Sequence, residues 1–143
     1  MRTQEWLVRL LSKARVAHLA TATRFGKPHV VPICYAFNGK TIYSSLDQKP
    51  KQVAFQRLRR VRNIAANPRV CLVVDTYSED WLNLRYVIVH GFADVIRGGI
   101  EHRLAAALLR RKYSQYGKMR IEELPVIRIR PTRISAWQSN QQG

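Results

Sequence analysis

Apolar residues recur at helical spacing at the start of the chain and alternate with polar ones along most of its remaining length. In residues 3–14, Trp6, Leu7, Leu10, Leu11 and Ala14 fall on one face, with Arg9 and Lys13 opposite. That spacing predicts an amphipathic helix. Residues 16–23 are short, branched and apolar, and end at Arg24-Phe25-Gly26-Lys27, so they read as a strand and a turn. A second strand is expected over 28–37. Pro32 marks an edge or bulge within it, because proline cannot donate to a ladder. Asn38-Gly39 is a strong hairpin signal, and 41–46 is the returning strand.

Residues 57–66 predict a second helix. Leu58, Val61, Ile64 and Ala65 form its apolar stripe, and Arg59, Arg60 and Asn63 project from the other face. Pro68 disfavours helical geometry at Asn67 and should end the helix there. Residues 70–76 are expected to form a strand, continuously apolar over 70–74 as for one buried on both faces. A polar loop over 77–81 leads to a long strand over 84–96, broken by Gly98-Gly99. A further helix is expected over 100–116, with Ile100, Leu104, Ala107, Leu108 and Arg111 on one side. Strands over 125–130 and 132–138 close the chain, and 139–143 should be a disordered tail. These elements predict a mostly β protein of six or seven antiparallel strands with two or three peripheral helices. A closed or partly closed barrel is the natural solution, since closure removes strand edges.

With 143 residues, the chain is read as one domain, 1–143, able to bury a core without disulfides or metal. The run of about 18 apolar residues that a membrane span needs is missing. A secretory leader is not evident, so a cytoplasmic protein is expected. Cys34 and Cys71 sit in apolar runs and read as buried free thiols. The charge is what changes the picture: 25 Lys plus Arg against nine Asp plus Glu, or +16. Such an excess implies an anionic partner.

Catalytic motifs built from the protein's own side chains are missing. The sequence contains no glycine-rich phosphate loop, no nucleophile elbow and no metal-ligand spacing. His18, His29, His90 and His102 are scattered, and carboxylates are scarce. A hydrolase is therefore not expected; a cofactor that carries the chemistry fits better. One constellation stands out. Residues 49–69 hold seven basic side chains and no acidic one. Lys49 and Lys51 follow the strand over 41–46, while Arg59, Arg60 and Asn63 come from the next helix. Phosphate binding needs charge-assisted donors converging from different elements. Ser44 and Ser45 could add hydroxyls. A nucleic-acid-binding module is the rival reading of the charge, but no aromatic ladder interleaves with the basic segment as stacking platforms require.

The order of elements resembles the pyridoxamine 5'-phosphate oxidase-like split-barrel superfamily, in particular its branch of F420-dependent enzymes. The resemblance is carried by Ala17-His18-Leu19-Ala20-Thr21, by Gly26-Lys27-Pro28 with Pro32, by Ile42-Tyr43-Ser44-Ser45, and by Asp47-Gln48-Lys49-Pro50-Lys51. It continues through Arg62-Asn63-Ile64-Ala65-Ala66-Asn67-Pro68-Arg69-Val70, Glu79-Asp80-Trp81 and Thr132-Arg133-Ile134-Ser135-Ala136-Trp137. It implies an FMN-binding type of split β-barrel, a homodimer with the cofactor in a groove between subunits, and a small-molecule substrate. The cofactor would be coenzyme F420, with FMN as the alternative. The ring would sit against Val31 and Pro32. Lys49 and Lys51 would meet the phosphate, with Arg60 and Arg62 as competing candidates, because this chain carries a longer segment between them than the family pattern has. Trp137 is expected to be buried.

Overall fold

The computed structural model describes residues 5–47 and 54–139. Lys49 and Lys51, Thr3, and the tail beyond Ser139 lie outside the described residues. Seven antiparallel strands form one curled sheet in the order β2-β1-β5-β6-β7-β4-β3. They are β1 (Ala17–Ala22), β2 (Pro28–Ile33), β3 (Ala36–Phe37), β4 (Ile42–Ser45), β5 (Arg69–Thr76), β6 (Arg85–Ile96) and β7 (Val126–Gln138). Three helices, α1 (Glu5–Lys13), α2 (Arg59–Ala66) and α3 (Ile100–Lys112), lie around it. The end strands β2 and β3 do not pair with each other, so the barrel is split.

Local chemistry sets the turns. Gly26 and Gly39 take φ values of 90° and 96°, a region that favours glycine. Asn38 keeps negative φ, and its side chain shapes the hairpin instead, accepting from Lys40 N at 2.8 Å and Thr41 N at 2.7 Å. Asn67 is extended (φ −145°, ψ 100°) before Pro68 and ends α2 where the sequence predicts the stop.

The inner face holds the main core: Ala17, Leu19, Leu72, Val74, Val87, Val89, Ile127 and Ile129, closed at one end by Leu7 and Leu11 of α1. Tyr35 reaches this end, its hydroxyl donating to Leu11 O. The outer face is covered only in part. α3 packs over β4 and the first half of β7 through Tyr43, Ala105 and Val126. Tyr43 donates to Glu101 Oε2 at 2.6 Å, and Arg128 joins Glu101 (2.5 Å) to Asp94 (2.6 Å). That network fixes the first turn of α3 to three strands.

Several expectations change. The strand over 28–37 is two strands, because the chain turns at Cys34 and Tyr35 to begin the second half of the barrel. β5 buries alternate residues only; its apolar outer face is left open rather than covered. The last two strands are one 13-residue strand, with a bulge between His90 and Gly91 of β6 absorbing the irregularity at Pro131. α3 turns a different face inward: His102, Ala105, Ala106 and Leu109 are buried, while Ile100 and Leu104 are exposed. The small residues allow α3 close to the sheet. Asn63 is not on the open face of α2 but 2% exposed. Trp137 is 41% exposed and stacks on Tyr86 across the outer face. Among the described residues both cysteines are free and half-buried, and no helix is long and apolar enough to cross a membrane.

Candidate cofactor site

Where β2 and β4 meet the start of α2, a cavity of about 190 Å³ is lined by Val16, Pro32, Ile33, Cys34, Ser44, Ser45, Asp47 and Arg60. Ser44 Oγ donates to Cys34 O at 2.8 Å, which closes β4 onto the β2–β3 connection. Ser45 is 4% exposed, and its hydroxyl has no partner among the described residues. Arg60 Nε is likewise buried and unpartnered. Burial lowers the Arg60 pKa, and the Asp47 charge works against that fall. Asp47 is itself engaged, accepting from the Tyr116 hydroxyl. Buried polar groups are nearly always hydrogen-bonded, and leaving one unsatisfied costs about 1–3 kcal/mol. Both residues line one cavity, a candidate place for an oxygen-rich ligand.

The cavity has room for a phosphate but not for a tricyclic ring, since pockets for whole small molecules begin at about 300 Å³. A ring attached to such a phosphate would lie outside it. Pro32 is on the cavity rim, and β2 has β1 as its single neighbour, so its outer edge is open beside the cavity. The Cys34 thiol is pushed up by burial first and then by Asp47; it stays protonated near neutrality and is a poor nucleophile.

The nine sequence candidates separate. Pro32, Ser44, Ser45 and Arg60 share this cavity. Val31 alternates to the inner face and packs on the core. Asn63 lies on a second pocket, with Thr23, Lys27, Pro28, His29 and Arg59. Arg62 points away, into a groove of about 700 Å³ between α2 and β6 lined also by Val61, Ile64, Ala93, Val95 and Arg97. Sequence reasoning missed Cys34 and Asp47 as wall residues, and missed Lys27 and His29 altogether. Their signal is present in Gly26-Lys27-Pro28-His29, a segment whose glycine and proline draw attention to the turn and away from its lysine and histidine. Among the described residues no group of three metal-ligating side chains exists.

Behind the cavity, Lys112 Nζ donates to Tyr35 O at 3.0 Å and lies 3.9 Å from the Tyr35 ring centroid. Burial, and then the Arg15 charge, pull its pKa down to about 8. Unfolding returns it to about 10.4, so between these values the unfolded chain binds the extra proton and this residue's contribution to stability rises with pH. Raised thiols and tyrosines act in the opposite sense, so the expected result is a difference. Wild type should gain stability relative to Lys112→Met as pH rises from about 8 to 10. Urea unfolding of both proteins across that range measures it; a constant gap would refute the assignment.

The fold agrees with the relatives of the chain. Residues 3–138 match the family described as Pyridoxamine 5'-phosphate oxidase. The chain belongs to this family. Within it, the chain is 31% identical over 121 residues to the 5a,11a-dehydrotetracycline/5a,11a-dehydrooxytetracycline reductase of Streptomyces rimosus, covering 83% of this chain and 71% of the reductase. Among solved structures, a FAD-binding protein of Mesorhizobium loti superposes with TM-score 0.70 at 24% identity, covering 92% of this chain and 89% of that one. An F420 reductase superposes with TM-score 0.64 at 24% identity, covering 89% and 94%. These two likenesses speak to the split-barrel fold alone. The family and the reductase relative together support an oxidoreductase.

Proposed function

We propose that this chain is an F420-dependent oxidoreductase that acts on a small organic substrate. The observation that carries the reading is that Ser45 and Arg60, whose Oγ and Nε are buried without a partner among the described residues, line one phosphate-sized cavity beside the edge of β2. The deazaflavin would supply hydride transfer at its C5. The chain's own part is to hold the phosphate at Ser45 and Arg60, to seat the ring along β2 at Pro32, and to exclude water. Lys49 and Lys51 follow β4 directly in sequence and are assigned to the same phosphate. The positive excess of the chain favours the more anionic F420 over FMN.

The active form is proposed to be a homodimer. On the outer face of β2, β1, β5 and β6, Val30, Ala20 and Cys71 follow one another in one row of the register, and Val73 and Ile88 pair in the next. Val30 is 63% exposed. The second half of β7 leaves Ile134 and Trp137 exposed along a strand that pairs with β6 on one side only. Open apolar faces and strand edges of this kind call for a cover, and a second copy would extend the cofactor groove. Titrating the protein with F420 and with FMN, with sedimentation of the same samples, tests the reading. Micromolar F420 binding to a particle of two chains is expected. Binding of FMN without F420 would overturn the cofactor assignment, and a monomer at micromolar concentration would overturn the dimer.

A further inference from the structure

One residue in the wall of the Ser45–Arg60 cavity carries the wrong charge for an anion site. Asp47 lines the cavity together with Cys34, Ser45 and Arg60. Burial pushes the Cys34 thiol up, so it stays protonated near neutrality. Among the described residues the wall therefore sets one carboxylate against one cation. Acidic side chains number only nine in the whole chain, so composition does not force one into this place.

The Asp47 side chain is anchored from behind. It accepts from the Tyr116 hydroxyl. Burial first, and then that hydrogen bond, push the Tyr116 phenol far above its usual range, so the hydroxyl remains the donor. Tyr116 is itself buried, packed with Leu109 and Tyr113, and its carbonyl accepts from Arg110 Nη1 at 2.7 Å. Just before Asp47, Leu46 N donates to Pro125 O at 2.9 Å and fixes the backbone. Turning Asp47 away from the cavity would leave the buried Tyr116 hydroxyl without its acceptor, which is costly.

A fixed carboxylate repels a bound phosphate in proportion to the charge of that phosphate. A phosphomonoester carries about two negative charges near neutrality, since its second pKa is about 6. A phosphodiester has a single ionised oxygen and carries one. The repulsion from Asp47 therefore falls about twice as heavily on the monoester. Arg60 by itself would favour the dianion, and Asp47 offsets that preference.

We propose that Asp47 is a specificity-determining residue, which adapts the cavity to a phosphodiester monoanion at the expense of a phosphomonoester dianion. The inference rests on the assignment of this cavity to a cofactor phosphate. It narrows that assignment by chemistry: the phosphate at Ser45 and Arg60 joins two parts of its ligand rather than ending it. F420 carries a phosphodiester and FMN a monoester. Lys49 and Lys51, assigned to the same phosphate, are common to wild type and an Asp47 variant, so comparing the two isolates Asp47.

The test is the affinity of F420, FMN and the cyclic phosphodiester of riboflavin for wild type, Asp47→Asn and Asp47→Ser. Fluorescence titration at about pH 7.5, where the monoester is a dianion, reads it. FMN and the cyclic ester share one ring and differ at the phosphate. Both replacements keep an acceptor for the Tyr116 hydroxyl; urea unfolding checks each fold, and either variant suffices. FMN that binds wild type weakly is measured by competition with F420. In the variants FMN should gain about 100-fold and the two diesters about tenfold, because the Coulomb energy removed scales with ligand charge. Equal gains for FMN and the cyclic ester, or unchanged affinities, overturn the role of Asp47 and leave the cofactor reading standing. Weaker binding of the diesters in the variants would make Asp47 a ligand-holding group and overturns it too. Failure of all three ligands to bind wild type and variants overturns the cofactor reading, and this inference with it.

Discussion

Gly91→Ala is expected to cost about 2–3 kcal/mol of stability in urea unfolding, the upper part of the range for overpacking a filled site. A Cβ at position 91 would lie 2.4 Å from Arg130 O, 3.0 Å from the Arg130 carbonyl carbon and 3.1 Å from the Pro131 Cα. All three contacts are backbone, so no flexible side chain can swing aside. The cost comes from space alone, because Gly91 has no positive φ. Gly91 faces Pro131 at the bulge of β6 and β7, the longest strand pair of the sheet. The bulge separates the first half of β7, roofed by α3, from the second half, whose outer face is open. Gly98→Ala is the control: nothing lies within 4 Å of its added Cβ, and a change within about 0.5 kcal/mol is expected. Equal stability of the two variants would refute the account of the bulge.

Arg60→Met is expected to weaken cofactor binding by about 30-fold or more, in line with 2–5 kcal/mol for truncating one partner of a buried charge pair. The same change should leave stability equal or raise it. Arg60 is largely withdrawn from water, its Nε has no partner among the described residues, and burial lowers its pKa. A desolvated cation that a neighbouring charge, here Asp47, compensates only in part destabilises the fold it sits in, and an apolar side chain of similar length removes that cost. Loss of function with no loss of stability is the mark of a group kept for its ligand. Urea unfolding and cofactor titration of one preparation measure both. Unchanged affinity would remove Arg60 from the site, and a large loss of stability would make it a structural residue.

Much of the sheet is legible in the sequence because its signals are local. Asn38-Gly39, Gly26 and the Asn67-Pro68 stop depend on the backbone preferences of two or three residues, and each turn or end lies where those preferences put it. The helix faces are less legible. Periodicity says that α3 has an apolar side, but Ala105 and Ala106 rather than Ile100 and Leu104 meet the sheet, because closeness of approach matters as much as apolarity. Asn63 departs from its expected place for a related reason. A buried amide is acceptable only with a partner, and its partner Thr21 is 42 residues away in the chain.

The candidate site divides along the same line. Composition, the order of turns and missing motifs are properties of a chain in one dimension. They lead to the expectation of a mostly β, closed or partly closed barrel and of an anionic ligand; the split barrel is what the family resemblance adds. They do not say which cations act together, because that depends on packing between distant segments. Arg59, Arg60 and Arg62 are near neighbours in sequence, yet they line three different pockets. Each step along a helix turns the side chain by about 100°. What each arginine then meets is set by strands far away in the chain: β4 brings Ser45 to Arg60, and the β1–β2 turn brings Lys27 and His29 to Arg59.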